Sequence, residues 1–371
     1  MTEQVRIRRA RPQDGPALMD AVRRIDGETE FLGVPGEPHP WADQPAAELR
    51  RLEQKGRGAV FLALDAAECV IGYLAAFNGH FARNRGAVFI AVVGLREVWR
   101  GRGIGTRLFD AVEQWARAQQ AWRLELRVSS LNQRGLALYH KRGFAIEGRI
   151  RAGVWRHDAW TDDFWMGKLL QEPDIAPASE PERMRRASMP TPQEPRLLPP
   201  GVRLRPLRAG DGPVFRAWDR RLSETEPFTM KLPGEVASVA AIEQDIADTG
   251  ADPRSWIAAT VPGAETGERM LGFASGSIEP RFRMGHDAFV CASVLPEAAR
   301  GGIGRQLHDA VENWARDQGA RRLTATVPGP DRRARAFAAR LGYEEEVVQR
   351  GYCRIDGRSI DRIRLGKLLP P

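Results

Sequence analysis

Gly103–Gln119 and Gly302–Gln318, 199 positions apart, are identical at 12 of 17 positions, so the chain must build one local structure twice. The agreement extends well beyond this stretch. Val5-Arg-Ile-Arg8 with Asp14-Gly-Pro16 matches Val202-Arg-Leu-Arg205 with Asp211-Gly-Pro213. Glu28-Thr-Glu30 matches Glu224-Thr-Glu226, Pro35-Gly-Glu37 matches Pro233-Gly-Glu235, and both halves close on Gly-Lys-Leu-Leu. A period this long implies two complete domains, not a solenoid of small units. We place them at 1–170 and 201–371. The 171–200 stretch between them carries eight prolines, buries little and reads as an extended tether.

Each half alternates strands and helices. Val5–Arg9 reads as a strand, and Asp14-Gly-Pro16 opens a helix with Leu18, Val22 and Ile25 on one face. Val60–Leu64 and Val70–Phe77 read as neighbouring strands. Ala87–Leu95, the longest apolar run, reads as a strand buried on both faces. It feeds Arg100-Gly-Arg-Gly-Ile-Gly105 and a helix with Leu108, Ala111, Val112 and Trp115 inward. A strand over Leu124–Val128 and a helix over Asn132–Arg142 follow. The pattern predicts an α/β fold with a mixed sheet.

Composition narrows the function classes. The apolar run is far below the roughly 20 residues needed to cross a bilayer, and Val5–Arg9 lacks a signal-peptide core. Cys69, Cys291 and Cys353 cannot all pair within one chain and form no metal-type cluster, which suits a reducing cytoplasm. The net charge of +8 is spread over 56 basic and 48 acidic residues, without a basic tail or an aromatic platform. The expectation is a cytoplasmic protein with no nucleic-acid partner, no membrane partner and no metal.

The order strand, Arg100-x-x-Gly-x-Gly105, helix, strand, Asn132, helix, Tyr139, Gly143-Phe144 resembles the GNAT superfamily of N-acetyltransferases. The resemblance covers about Val5–Leu170 and, more weakly, Val202–Leu369, and implies two tandem GNAT-like acyltransferase domains. It also implies acetyl-CoA (coenzyme A) as cofactor. Arg100, Arg102, Gly103 and Gly105 would then cradle the pyrophosphate at the positive end of the following helix. Val93 and Leu95 would bond the pantetheine through their backbone, and Asn132 would hold the cofactor by its amide. Tyr139 would protonate the departing thiolate, with a reference pKa of about 10 near that of the thiol. Asn132 as a helix cap and Tyr139 as a packed helix residue are the structural alternatives.

No motif names the base that frees the attacking amine. Glu28 and Glu30 fall where family members line the substrate end, while His80, Glu97 and Glu125 are further candidates. The second half departs where chemistry is expected: Arg100 becomes Ala299, Asn132 becomes Asp331 and Tyr139 becomes Ala338. Tyr343 and Tyr352 are acids only off the motif. The expectation is acetyl transfer to the primary amine of a small molecule by direct attack in a ternary complex, in the first domain, with a degenerate second domain. The alternatives are acetylation of protein N-termini and a non-catalytic acyl-CoA-binding or assembly role. Tandem copies suit a monomer with pseudo-dimeric domains, or a homodimer.

Overall fold

The computed structural model describes residues 4–33, 39, 41–156, 158–171, 199–248, 254–263, 267–278 and 285–370. Nearly all of the 171–200 tether, and the Pro35–Glu37 repeat, lie outside the described residues. The chain divides into two compact units, Met1–Asp174 with Gln349–Arg354, and Ile175–Val348 with Ile355–Pro371.

The first unit runs β1 (Arg6–Arg9), α1 (Gly15–Asp26), α2 (Pro45–Lys55), β2 (Gly58–Leu64), β3 (Val70–Asn78) and β4 (Ala87–Leu95). It continues with α3 (Ile104–Ala118), β5 (Arg123–Ser129), α4 (Gln133–Lys141), β6 (Ala145–Arg156) and β7 (Ala159–Leu169). The sheet order is β1-β2-β3-β4-β5-β7-β6, antiparallel except for β4 and β5. One face carries α1 and α2 over Val60, Leu62, Leu64, Tyr73 and Ala75. The other packs Leu108, Phe109 and Val112 of α3 and Leu136 and Tyr139 of α4 on Val88, Ile90, Leu124 and Leu126. The strongly amphipathic pattern of α3 is what buries one stripe and leaves Asp110 and Arg107 outside.

β4 is the element that the sequence misrepresents. Ala87, Val88 and Ile90 are buried, but Ala91 is exposed and Val92, Val93 and Leu95 are only half-buried. Its pairing with β5 explains this, because it runs only from Ala87↔Arg123 to Ile90↔Leu126. Beyond Ile90 the two parallel strands part, and the apolar half of β4 loses one neighbour. The register with β3 shifts at the same point, with Ala75 opposite Val92 and Ala76 opposite Ile90, so Ala91 is a one-residue β-bulge.

The second unit repeats the order as β8 (Arg203–Pro206), α5 (Gly212–Thr225), α6 (Val239–Asp248), β9 (Arg254–Gly263), β10 (Gly267–Ile278) and β11 (Asp287–Val294). It closes with α7 (Ile303–Asp317), β12 (Arg322–Pro328), α8 (Arg332–Arg340), β13 (Glu344–Ile355) and β14 (Arg358–Leu368). Here too the parallel pair is short, from Asp287↔Arg322 to Phe289↔Thr324. The register of β10 with β11, however, is unbroken from Gly272↔Val294 to Ile278↔Ala288. β11 is one residue shorter than β4, and the missing residue is the bulge.

Candidate functional site

The parting of β4 from β5 leaves backbone groups without a strand partner. Arg96 N donates to Ile71 O at 2.9 Å, which makes that residue pair the hydrogen-bonded one. In an antiparallel ladder the next pair along turns its N–H and C=O away from the partner strand. Leu95 (opposite Gly72) and Val93 (opposite Leu74) therefore direct their backbone groups to the side from which β5 has departed. One of these groups is in use: Arg100 Nε donates to the Leu95 carbonyl at 3.1 Å.

The turn that follows leaves backbone donors uncapped. Gly101 and Gly103 have φ of 79° and 77°, and a Cβ at either would meet nothing within 4 Å. Glycine is favoured there by the left-handed backbone, not by crowding. Gly103 is the N-cap of α3 and no side chain caps the helix, so the first-turn N–H groups face outward at the positive end of the dipole. A phosphate fits these donors. Gly105 has a packing reason, since its Cβ would lie 3.2 Å from Leu138 Cδ2 of α4. The exposed Arg102 lies over the Trp99 ring, 4.9 Å from its centroid. Arg100 is engaged inside the protein: besides Leu95 O, its Nη2 donates to Glu28 O at 3.1 Å. The side chain thus ties the end of β4 to the segment after α1, a role that its place in the motif did not reveal.

Asn132 caps α4, with Oδ1 accepting from Gly135 N at 2.9 Å. The amide Nδ2 is not used by the cap. Tyr139 is buried on the inner side of α4, its ring 5.6 Å from Phe109 and 6.3 Å from Phe144. Burial pushes its phenol up to about 12, so it stays protonated across the working range of an enzyme.

The proposed bases are placed very differently. Glu28 is half-buried, its carboxylate taking Arg96 Nε at 2.6 Å and Glu97 N at 2.5 Å. Burial raises its pKa, but these hydrogen bonds and the Arg96 and Arg100 charges outweigh it, and the net direction is down. That carboxylate anchors a loop. Glu30 is exposed, and its carbonyl accepts from Arg156 Nη1 at 2.6 Å. Glu125 is buried between Arg123 Nη2 at 3.1 Å and Trp165 Nε1 at 3.3 Å. His80 is exposed beside Arg57, and Glu97 is exposed.

In the second unit Gly302 (φ 85°) again caps the long helix, while Arg300 (φ 71°) takes the left-handed place of Gly101. Asp331 Oδ1 accepts from Ala334 N at 2.9 Å, so the cap survives and only the amide is lost. The aromatic trio of Phe109, Tyr139 and Phe144 is replaced by His308, Ala338 and Tyr343. Among the described residues, no group of three or more His, Cys, Asp or Glu could hold a metal, and no helix is long and apolar enough to cross a membrane.

The acetyltransferase (GNAT) family model matches residues 21–144 and again 218–343, two thirds of the chain. An L-methionine sulfoximine/L-methionine sulfone acetyltransferase of Pseudomonas paraeruginosa is 30% identical over 119 residues, 32% of this chain and 69% of that protein. A GNAT-family acetyltransferase structure from Streptococcus pneumoniae, 25% identical, aligns with a TM-score of 0.42 over 45% of this chain and all of its own. The acetyl-CoA-bound acetyltransferase yncA of Salmonella typhimurium, 19% identical, aligns at 0.40 over 46% of this chain and 95% of its own. The chain belongs to the acetyltransferase (GNAT) family, the acetyl-CoA-dependent N-acetyltransferases, with two copies of the domain in tandem.

Proposed function

We propose that the first domain transfers acetyl from acetyl-CoA to the primary amine of a small molecule, by direct attack, and that the second domain does not catalyse this reaction. The observation that carries the reading is the β4 bulge at Ala91, with Val93 and Leu95 turned to the gap that β5 leaves. The bulge is missing from β11, in the same unit that lacks Arg100, Asn132 and Tyr139.

Acetyl-CoA supplies the activated acyl group and a thiol leaving group. On the chain, the α3 amides and Arg102 would hold its phosphates, and Val93 and Leu95 would align the pantetheine by backbone bonds. Asn132 has its Nδ2 to offer, since only Oδ1 serves the cap. Tyr139 carries a proton that its burial keeps in place until it is needed at the leaving sulfur. Glu28 and Glu30, in the segment after α1, would take the proton of the attacking amine, and Glu30 is the more exposed of the two. An amino acid is the favoured class of acceptor, supported by the amino-acid analogues on which the Pseudomonas relative acts.

The test is acetyl-CoA consumption by the purified chain, followed by mass spectrometry. The amines are L-methionine sulfone, L-methionine sulfoximine, spermidine, kanamycin and a peptide with a free N-terminal alanine. Turnover of a small amine supports the proposal. Turnover of the peptide alone assigns protein N-termini instead. Binding of acetyl-CoA without turnover of any amine overturns the catalytic reading in favour of a binding or assembly role.

A further inference from the structure

Arg127 and Asp163 form a partly buried ion pair that neither the motif nor the cofactor cradle accounts for. Asp163 lies on β7 opposite Ser129, the last residue of β5, and Arg127 lies two residues earlier. Opposed residues of an antiparallel pair share a face, and residues two apart on a strand do also. Arg127, Ser129, Asp163 and Trp165 therefore share one face, opposite to that on which Leu124, Leu126 and Met166 pack with α3 and α4. The pair sits along β5 beyond Leu126, where β4 has already turned away.

Arg127 Nε donates to Asp163 Oδ2 at 2.5 Å, and its Nη2 donates to the carbonyl of Gly153 at 2.6 Å. A Cβ on Gly153 would stand 2.7 Å from that nitrogen, so a larger residue there would make the guanidinium shift. The register of β6 with β7 slips by two residues between Ile150 and Val154, which raises this carbonyl toward Arg127. Asp163 is 4% exposed, yet its second oxygen, Oδ1, is buried with no hydrogen-bond partner. A buried carboxylate oxygen left unmatched is costly, and an incoming N–H donor removes that cost. The second domain does not keep the pair: Thr326 and Arg362 occupy the positions of Arg127 and Asp163. The pair thus goes with the bulge, Asn132 and Tyr139.

We propose that Asp163 holds the acceptor: Oδ1 accepts an N–H from the acceptor's amine and directs it to the gap between β4 and β5, with Arg127 fixing the carboxylate. This rests on the acetyl-transfer reading above and adds the group that recognises the cationic acceptor. Asp163 is a binding residue here, and no proton transfer is assigned to it.

The experiment compares wild type with Asp163→Asn, using the amine of the panel that wild type acetylates fastest. Asparagine keeps the shape and an oxygen for Arg127 but removes the charge. The acceptor KM should rise about 10- to 100-fold, the loss of one charge-assisted hydrogen bond. The acetyl-CoA Kd should stay close to wild type, while the melting temperature should fall, because Arg127 keeps its charge and loses that of its partner. Asp163→Glu, which keeps the charge but displaces it, should also raise the acceptor KM, and it replaces the asparagine variant if that one does not fold. Unchanged acceptor KM in an active, folded variant overturns the inference and leaves the acetyl-transfer reading standing. Wild type that acetylates no amine overturns the reading and the inference with it.

Discussion

His308 Nε2 and Tyr343 Oη lie 3.0 Å apart in the second domain, at the positions that Phe109 and Phe144 hold in the first. The histidine is buried beside Glu312 and Asp309, with Nδ1 at 3.7 and 3.8 Å from their carboxylates. Burial is the largest influence and disfavours the cation; Lys367 acts in the same sense, Glu312 and Asp309 oppose, and the net pKa is lowered. A histidine with a depressed folded pKa contributes stability that is fully present above the unfolded value of about 6.5. That contribution falls as pH drops below 6.5 toward the folded value, because the unfolded chain takes up the proton first. Melting curves between pH 7.5 and 5 should show this loss for wild type and a smaller one for His308→Phe/Tyr343→Phe. An imidazole NMR titration with a midpoint at or above 6.5 would contradict the account.

Replacing Tyr139 with phenylalanine leaves the ring packing on Phe109 and Phe144 intact and removes only the proton. We expect kcat to fall at least about 100-fold, the usual scale of general acid catalysis, with the acetyl-CoA Kd within about twofold of wild type. Steady-state kinetics and calorimetric binding on the same preparation decide it. With the phenol at about 12, the wild-type kcat profile should show no loss attributable to tyrosine ionisation up to about pH 10.

Asn132→Asp places in the first domain what Asp331 is in the second. Both side chains cap a helix through Oδ1, and the two residues are about equal as N-caps, so thermal stability should change by less than about 0.5 kcal/mol. If Nδ2 serves the cofactor, acetyl-CoA binding should weaken about tenfold or more, through loss of a donor and gain of a negative charge. Asn132→Ala should cost both, with about 1 kcal/mol of stability from the lost cap. Equal acetyl-CoA affinity for Asn132→Asp and wild type would reduce Asn132 to its capping role.

Deleting Ala91 converts the register of β4 into the unbroken one of β11. The deletion should leave the fold, which β11 shows is compatible with the shorter strand, and abolish turnover. Circular dichroism reports the first outcome and product formation the second. Full activity without the bulge would remove the observation on which the proposed site depends.

The repeat, the boundaries of β4, and the helices that became α1, α3 and α4 were legible from the sequence, because their apolar periodicity is local and the glycines that precede α3 mark its start. The family followed from the same short spacing. The bulge was visible only as a one-residue offset between the repeats, small enough to pass for drift. Burial of β4 is not legible in its sequence, since hydrophobicity reports what a strand tolerates, whereas its exposure depends on whether β5 stays beside it. The same limit applies to charged side chains. Sequence can propose Glu28, Arg100 or Glu125 for chemistry, but only the folded chain shows the contacts each makes, with Arg96, Leu95 and Arg123. Arg127 and Asp163 carried no signal at all, being 36 residues apart and joined only when β5 pairs with β7. Local pattern fixes elements; the partners of a buried charge are set by strand pairing between distant segments.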